Sequence, residues 1–141
     1  RAVIPTIASQ LISGCSRLKL GAISPTRDFN FASDTASGML ALALCQKAEG
    51  KVVNIGSGKE WSIETTAKLL MKIVGREVEI ETEESRIRPE KSEVNRLLAD
   101  NELLQSLTQW KVEVSFEEGL ERTVRWISKN IHFFEPEKYS R

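Results

Sequence analysis

KVVNIGSGKEWSIETTAKLLMKIVGREVEIE, residues 51–81, changes its periodicity twice within one stretch. Lys51 to Gly56 is a compact run rich in β-branched residues and closed by glycine, which reads as a strand. Ser62 stands where a helix cap belongs, and Ile63, Ala67, Leu70 and Val74 then share one helical face that Gly75 ends. Val78 and Ile80 alternate with Glu77, Glu79 and Glu81, the pattern of a strand with one wet face. Strand, helix and strand in this order predict a βαβ unit with parallel strands, and with it an α/β fold.

On the N-terminal side, Ile4, Ile7, Ala8, Leu11 and Ile12 form a helical stripe, with Pro5 tolerated in the first turn and Gly14 as its stop. Leu18 to Leu20 reads as a brief strand closed by Gly21, and Arg27 to Phe31 as a second strand after a Ser24-Pro25-Thr26 turn. Ser33 or Asp34 is placed to cap a helix through Met39, Leu40, Ala43 and Leu44, whose apolar face predicts deep burial. On the C-terminal side, Arg86 to Ser92 is a polar loop broken by Pro89, and Leu97 to Asp100 a short strand. Asp100 or Asn101 can cap a helix through Leu103, Leu104 and Leu107. Ser115 and Glu118 form a capping box for a last helix carrying Phe116, Leu120, Val124 and Ile127. The expected architecture is a small mixed sheet with about five helices, a single domain over residues 1–135 and a polar tail over 136–141.

The chain has 141 residues, 20 Lys and Arg against 20 Asp and Glu, and 40% hydrophobic residues, which suits one folded domain and argues against disorder. Zero net charge argues against a nucleic-acid-binding field and a membrane-surface helix, so an anion site here must rest on a few placed arginines. No stretch approaches the roughly 20 apolar residues of a membrane span, and no signal-peptide pattern is present. Cys15 and Cys45 lie outside any metal-ligand spacing and His132 is the sole histidine, which argues against zinc. The cysteines read as small buried hydrophobes in a reducing compartment, and the expected location is the cytoplasm.

Gly56-Ser57-Gly58 lies between a strand and a helix but lacks the third glycine of a dinucleotide fingerprint, and the helix begins too late. A reduced form of the reading stays open, in which exposed amides of this turn and the Asn54 side chain hold one phosphate oxygen. Arg27, Arg86 and Arg88 are the candidate anion ligands, because a guanidinium offers paired donors that match a diphosphate. Asp28 is positioned to hold Arg27, and Pro89 to stiffen the approach of Arg88. The residues supply no nucleophile, metal set or acid/base pair: His132 and Tyr139 sit near the C-terminal end, and Glu77 to Glu84 form a solvent face. A binding or substrate-positioning role follows, in place of a complete catalytic apparatus.

Taken in order, Arg1-Ala2-Val3-Ile4-Pro5, Leu20-Gly21, Thr26-Arg27-Asp28-Phe29, Val53-Asn54-Ile55-Gly56, Arg88-Pro89, Leu98-Ala99-Asp100, Trp110-Lys111 and Glu118-Gly119-Leu120 resemble a known pattern. It is that of the C-terminal, substrate-binding part of extended short-chain dehydrogenase/reductases, within them the NAD-dependent nucleotide-sugar 4,6-dehydratases and epimerases. The resemblance runs from Arg1 to about Lys129. It implies that Val3 and the Leu18 to Leu20 strand pack against the nucleotide base, that Arg27 and Arg88 clamp the diphosphate of a nucleotide-diphosphate sugar, and that Asn54 donates to it. Many members carry an aromatic residue where Leu20 stands and Gly-His or Gly-Asp where Glu90 and Lys91 stand. The resemblance places NAD and a TyrxxxLys pair on an N-terminal Rossmann domain, whereas this sequence contains neither a GxxGxxG nor a TyrxxxLys. The implied protein is the substrate-holding part of a larger enzyme, inactive alone, with the Rossmann domain as partner and self-association as a dimer expected. A free-standing sugar-nucleotide binding or interaction module is the alternative, and a remnant that folds but binds nothing is the third.

Overall fold

The computed structural model describes residues 2–87 and 94–136. In chain order these residues form α1 (Val3–Ile12), β1 (Arg17–Leu20), β2 (Thr26–Arg27), α2 (Ala32–Ala43), β3 (Trp61–Ser62), α3 (Ile63–Val74), β4 (Glu79–Thr82), β5 (Arg96–Leu97), α4 (Glu102–Leu107) and α5 (Phe116–Lys129). They gather into two compact units, one of residues 1–25, 62–95 and 117–141, the other of residues 26–61 and 96–116. The α/β class with five helices and small sheets follows the sequence reading.

In the first unit β1 pairs in parallel with β4, Leu18 opposite Ile80, and α1 packs on β1 and α3. The period of two puts Leu18 and Leu20 in the core and leaves Arg17 and Lys19 exposed. Ile7, Ala8 and Leu11 of α1, Ile63, Ala67, Leu70 and Met71 of α3, and Leu120, Val124 and Ile127 of α5 complete the buried set. Each such aliphatic side chain contributes about 1.5–3 kcal/mol by leaving water. Gln10 satisfies the edge of β1 that β4 does not reach: its Nε2 donates to the Lys19 carbonyl (3.1 Å) and its Oε1 accepts from the Lys19 amide (3.0 Å). The side-chain amide thereby stands in for a third strand. Ser62 caps α3 by accepting from the Thr65 amide at 3.0 Å, and Gly75 ends it with φ +73°, both as the sequence predicts. Gly21 is required by crowding, since a Cβ there would lie 2.4 Å from the Arg86 carbonyl oxygen.

The second unit is built on β2 and β5, parallel with Arg27 opposite Leu97, within a sheet of order β3-β2-β5. Asp34 sits in the first turn of α2, 2% exposed, and its carboxylate accepts from the Glu113 and Val114 amides at 3.2 and 3.0 Å. Trp110 Nε1 donates to the Asp34 carbonyl and to Ser37 Oγ, both at 3.0 Å. Phe29, Phe116 and Trp61 stack in sequence, with centroids 5.5 and 4.7 Å apart.

Four expectations are corrected. Residues 51–56 form no strand, so α3 does not complete a βαβ unit with them. β3 precedes α3 but lies in the other sheet, and the parallel partner of β4 is β1. The second predicted strand stops at Arg27, because the backbone turns into α2 with Phe31 as its N-cap. Asp34 is no cap, since its carboxylate is spent on the 113–114 amides. The apolar face of α2 is not buried: Met39, Leu40 and Leu44 are 60%, 61% and 78% exposed. The helix turns its Asp34–Gly38 side inward, where a Cβ on Gly38 would meet Ile55 Cγ2 at 2.9 Å and Trp110 Nε1 at 3.2 Å. Both cysteines are free and half-buried, and burial pushes the Cys15 thiol up, against a smaller opposing pull from Arg76.

Leu18→Ala is expected to cost about 2–5 kcal/mol, the range for a fully buried leucine whose cavity collapses only in part. Urea denaturation followed by circular dichroism measures it, and a loss below about 1 kcal/mol contradicts the central place of β1 in this core.

Candidate functional site

Arg27 ends β2, with its NH1 donating to the Thr26 carbonyl at 2.8 Å. The carboxylate next to it faces a different set of groups. Asp28 Oδ1 accepts from the Ser57 amide (2.9 Å) and hydroxyl, and Oδ2 accepts from the Gly58 amide (2.9 Å) and the Ala99 amide (3.3 Å). These bonds tie the 57–58 turn and the chain at Ala99 to the end of β2. Asn54 is exposed two residues before Gly56, and its Nδ2 donates to the Asp100 carbonyl at 3.3 Å. Asn101 Nδ2 donates to the Gly56 carbonyl at 2.9 Å, which fastens the same loop a second time.

The Ser57 and Gly58 amides are therefore committed to Asp28, which overturns the reading in which these two hold a phosphate oxygen. The turn is shaped for its internal anion. A Cβ on Gly56 would lie 2.4 Å from Ala99 Cβ and 2.8 Å from Asp28 Oδ2, and Gly58 has φ +71°. For the same reason the turn does not fit the diphosphate of a dinucleotide cofactor.

Among the proposed base contacts, Val3 begins α1 and is half-buried. Leu18 and Leu20 are 0% and 3% exposed, so their side chains do not reach a base; Arg17 and Lys19 are the side chains β1 turns outward. Arg88 lies outside the described residues. Arg86 is an internal ion-pair residue: its side chain is 7% exposed and its Nε donates to Glu83 at 2.6 Å, which holds the Glu83 carboxyl below the usual carboxylate range with help from Ser85. Its guanidinium borders a cavity of about 400 Å³ lined by Thr6, Ser9, His132 and Phe134 within the first unit. Arg27 directly precedes Asp28, Asn54 lies three residues before the turn that Asp28 holds, and Val3, Leu18 and Leu20 belong to the other unit. Among the described residues no group of His, Cys, Asp and Glu could hold a metal ion, and no helix is long and apolar enough to cross a membrane.

Sequence reasoning missed the role of Asp28 and the bracing of β2 by Glu60. Glu60 accepts Thr26 Oγ1 at 2.7 Å and two nitrogens of Arg96 at 2.9 Å, one bond from Nε and one from NH2. These partners lie about 30 residues or more apart, so no local spacing announces them.

The family model described as GDP-mannose 4,6 dehydratase matches residues 1–123. A putative UDP-glucose 4-epimerase of Methanocaldococcus jannaschii is 34% identical over 128 residues, 91% of this chain and 39% of that protein. The structure of RMD from Pseudomonas aeruginosa complexed with NADPH superposes with a TM-score of 0.80 at 28% identity, over 92% of this chain and 43% of the other. The UDP-glucose 4-epimerase of Thermotoga maritima, solved with UDP-glucose, gives 0.74 at 26%, over 92% and 40%. The fold and the match agree on a class, the α/β fold of the nucleotide-sugar epimerase/dehydratase family. The chain belongs to the NAD-dependent nucleotide-sugar epimerase/dehydratase family, and spans about two fifths of the length of these relatives.

Bonds from Arg96 and Thr26 lower the Glu60 carboxyl below its ordinary value of 4.5. A group depressed in the folded state stabilises above its unfolded pKa and loses that contribution as pH falls through the folded value. Glu60→Gln is therefore expected to flatten the fall in stability below about pH 4.5, with little change near neutrality. Urea midpoints across the acid range test this, and parallel curves for both proteins count against it.

Proposed function

We propose that this chain is the substrate-holding portion of a nucleotide-sugar epimerase or 4,6-dehydratase, binding a nucleotide-diphosphate sugar and inactive alone. Arg27 and Arg88 clamp the diphosphate, Asn54 donates to it, and Val3 with the exposed side of β1 borders the base. The observation that carries this reading is the family match over residues 1–123, on a strand and loop that carry Arg27 and Asn54 and that Asp28 ties together. Fork-shaped guanidinium groups suit the paired oxygens of a diphosphate, and fixing the nucleotide end of the substrate supplies orientation to a reaction at the sugar. NAD, when bound by the rest of the enzyme, supplies the hydride chemistry. The sequence has no TyrxxxLys, so proton transfer at the sugar belongs to that other part.

The exposed face of α2 favours this reading over a free-standing module. Met39, Leu40 and Leu44 form a stripe that a monomer in water does not ordinarily leave open. α1 buries Ile7, Ala8 and Leu11, whereas α2 leaves its apolar face open to the cofactor domain or to a second copy.

Calorimetric titration with UDP-, GDP- and dTDP-sugars is expected to show binding of at least one. Arg27→Ala is expected to weaken it roughly tenfold to a hundredfold, the loss of one or two charge-assisted bonds. An unchanged affinity removes Arg27 from the clamp. The isolated chain is also expected to self-associate with rising concentration in light scattering, and Leu40→Glu with Leu44→Glu to make it monomeric. A wild-type chain that stays monomeric at high concentration contradicts an open docking face.

A further inference from the structure

We propose that Asp28 is a positioning residue of the anion clamp: its carboxylate fills the amide nest of the Gly56–Gly58 turn and so fixes the Asn54 loop against the strand that carries Arg27. The inference rests on the reading under Proposed function.

Three observations carry it. The carboxylate receives donors from two segments far apart in sequence, Ser57 and Gly58 on one side and Ala99 on the other. The Asp28 amide donates to the Leu97 carbonyl at 2.9 Å, continuing the β2–β5 ladder, so the same residue is tied to β5 by its main chain and to the loop by its side chain. Asn54 and Asn101 then cross-link the same two segments, through Asp100 and Gly56. Successive residues of an extended strand project to opposite faces, so a carboxylate at 28 anchors the strand without drawing the guanidinium at 27 into the anchor. The distance between the proposed ligands Arg27 and Asn54 is thereby set by one internal anion. A nest of convergent amides prefers an anion, and here the protein supplies its own.

The test is calorimetric titration of UDP into the 141-residue chain and its variants, with amide resonances of Ser57, Gly58 and Ala99 followed by NMR. Asp28→Ala is expected to weaken UDP by roughly tenfold or more and to remove protection from those three amides, leaving the resonances of α1 and α3 in place. Added acetate is expected to restore both affinity and protection in Asp28→Ala, because a free carboxylate re-enters the nest; a side chain needed only for packing gives no such rescue. Should Asp28→Ala not fold, Asp28→Asn, which keeps the volume and loses the charge, is expected to weaken UDP in the same titration. The inference is overturned, with the clamp reading left standing, if Arg27→Ala loses UDP while the Asp28 variants bind like wild type. It is overturned equally if acetate restores neither quantity. If wild type binds no UDP, or Arg27→Ala binds it unchanged, the clamp reading itself fails and this inference falls with it.

Discussion

The second unit depends on one half-buried side chain, the Asp28 carboxylate, which gathers donors from two separate segments. Its two oxygens accept from the amides of Ser57, Gly58 and Ala99, so the lone pairs it turns inward are filled. Once those bonds are made, much else follows. The turn at 57–58 cannot extend a strand, because its amides donate to Asp28. Gly56 must lack a side chain to admit Ala99 and the carboxylate, and Gly58 must take the left-handed conformation. A second carboxylate solves the same problem at Asp34, with the amides of 113 and 114 and the indole of Trp110 gathered around it. Two aspartates near the ends of one loop and one helix thus organise a unit whose strands are each two residues long.

The first unit is held differently. Its core is aliphatic, and the ordering comes from the alternation of β1 and the helical stripes of α1, α3 and α5. Its polar contribution is Gln10, which pairs with both main-chain groups of Lys19 and closes an edge that would otherwise invite another strand. Dispersion and burial tolerate small shifts, whereas a carboxylate in a ring of amides does not. The proposed ligands Arg27 and Asn54 accordingly lie in the unit where side-chain hydrogen bonds from Asp28, Asn54 and Asn101 join the segments.

The helices were legible because their signals are local. Ser62, Gly75 and the three- and four-residue spacing of Ile63, Ala67 and Leu70 fix α3 without reference to anything distant. The Leu18–Leu20 strand was legible for the same reason. What failed was each inference that needed a partner. Val52, Val53 and Ile55 have the composition of a strand, but strand formation is decided by a neighbouring strand, and residues 51–55 pair with none. Leu18 and Leu20 fit a base contact by resemblance, yet the pleat turns them inward. The apolar stripe of α2 is a sound signal of burial, but a sequence does not say in which molecule the burial occurs.

That last point bears on the proposed division of labour. Zero net charge leaves no broad field to gather an anionic substrate, so affinity for a diphosphate must come from fixed donors at short range. Fixed donors are useful only if their spacing is held before the ligand arrives, since each flexible side chain ordered on binding costs about 0.5–1.5 kcal/mol. An internal anion that locks loop to strand meets that requirement at the level of the fold. The chemistry of oxidation and return can then reside on another polypeptide segment, provided that segment finds a surface to dock on. The uncovered leucines of α2 are an apolar surface of that kind, and burying them would draw on none of the charges proposed to hold the diphosphate.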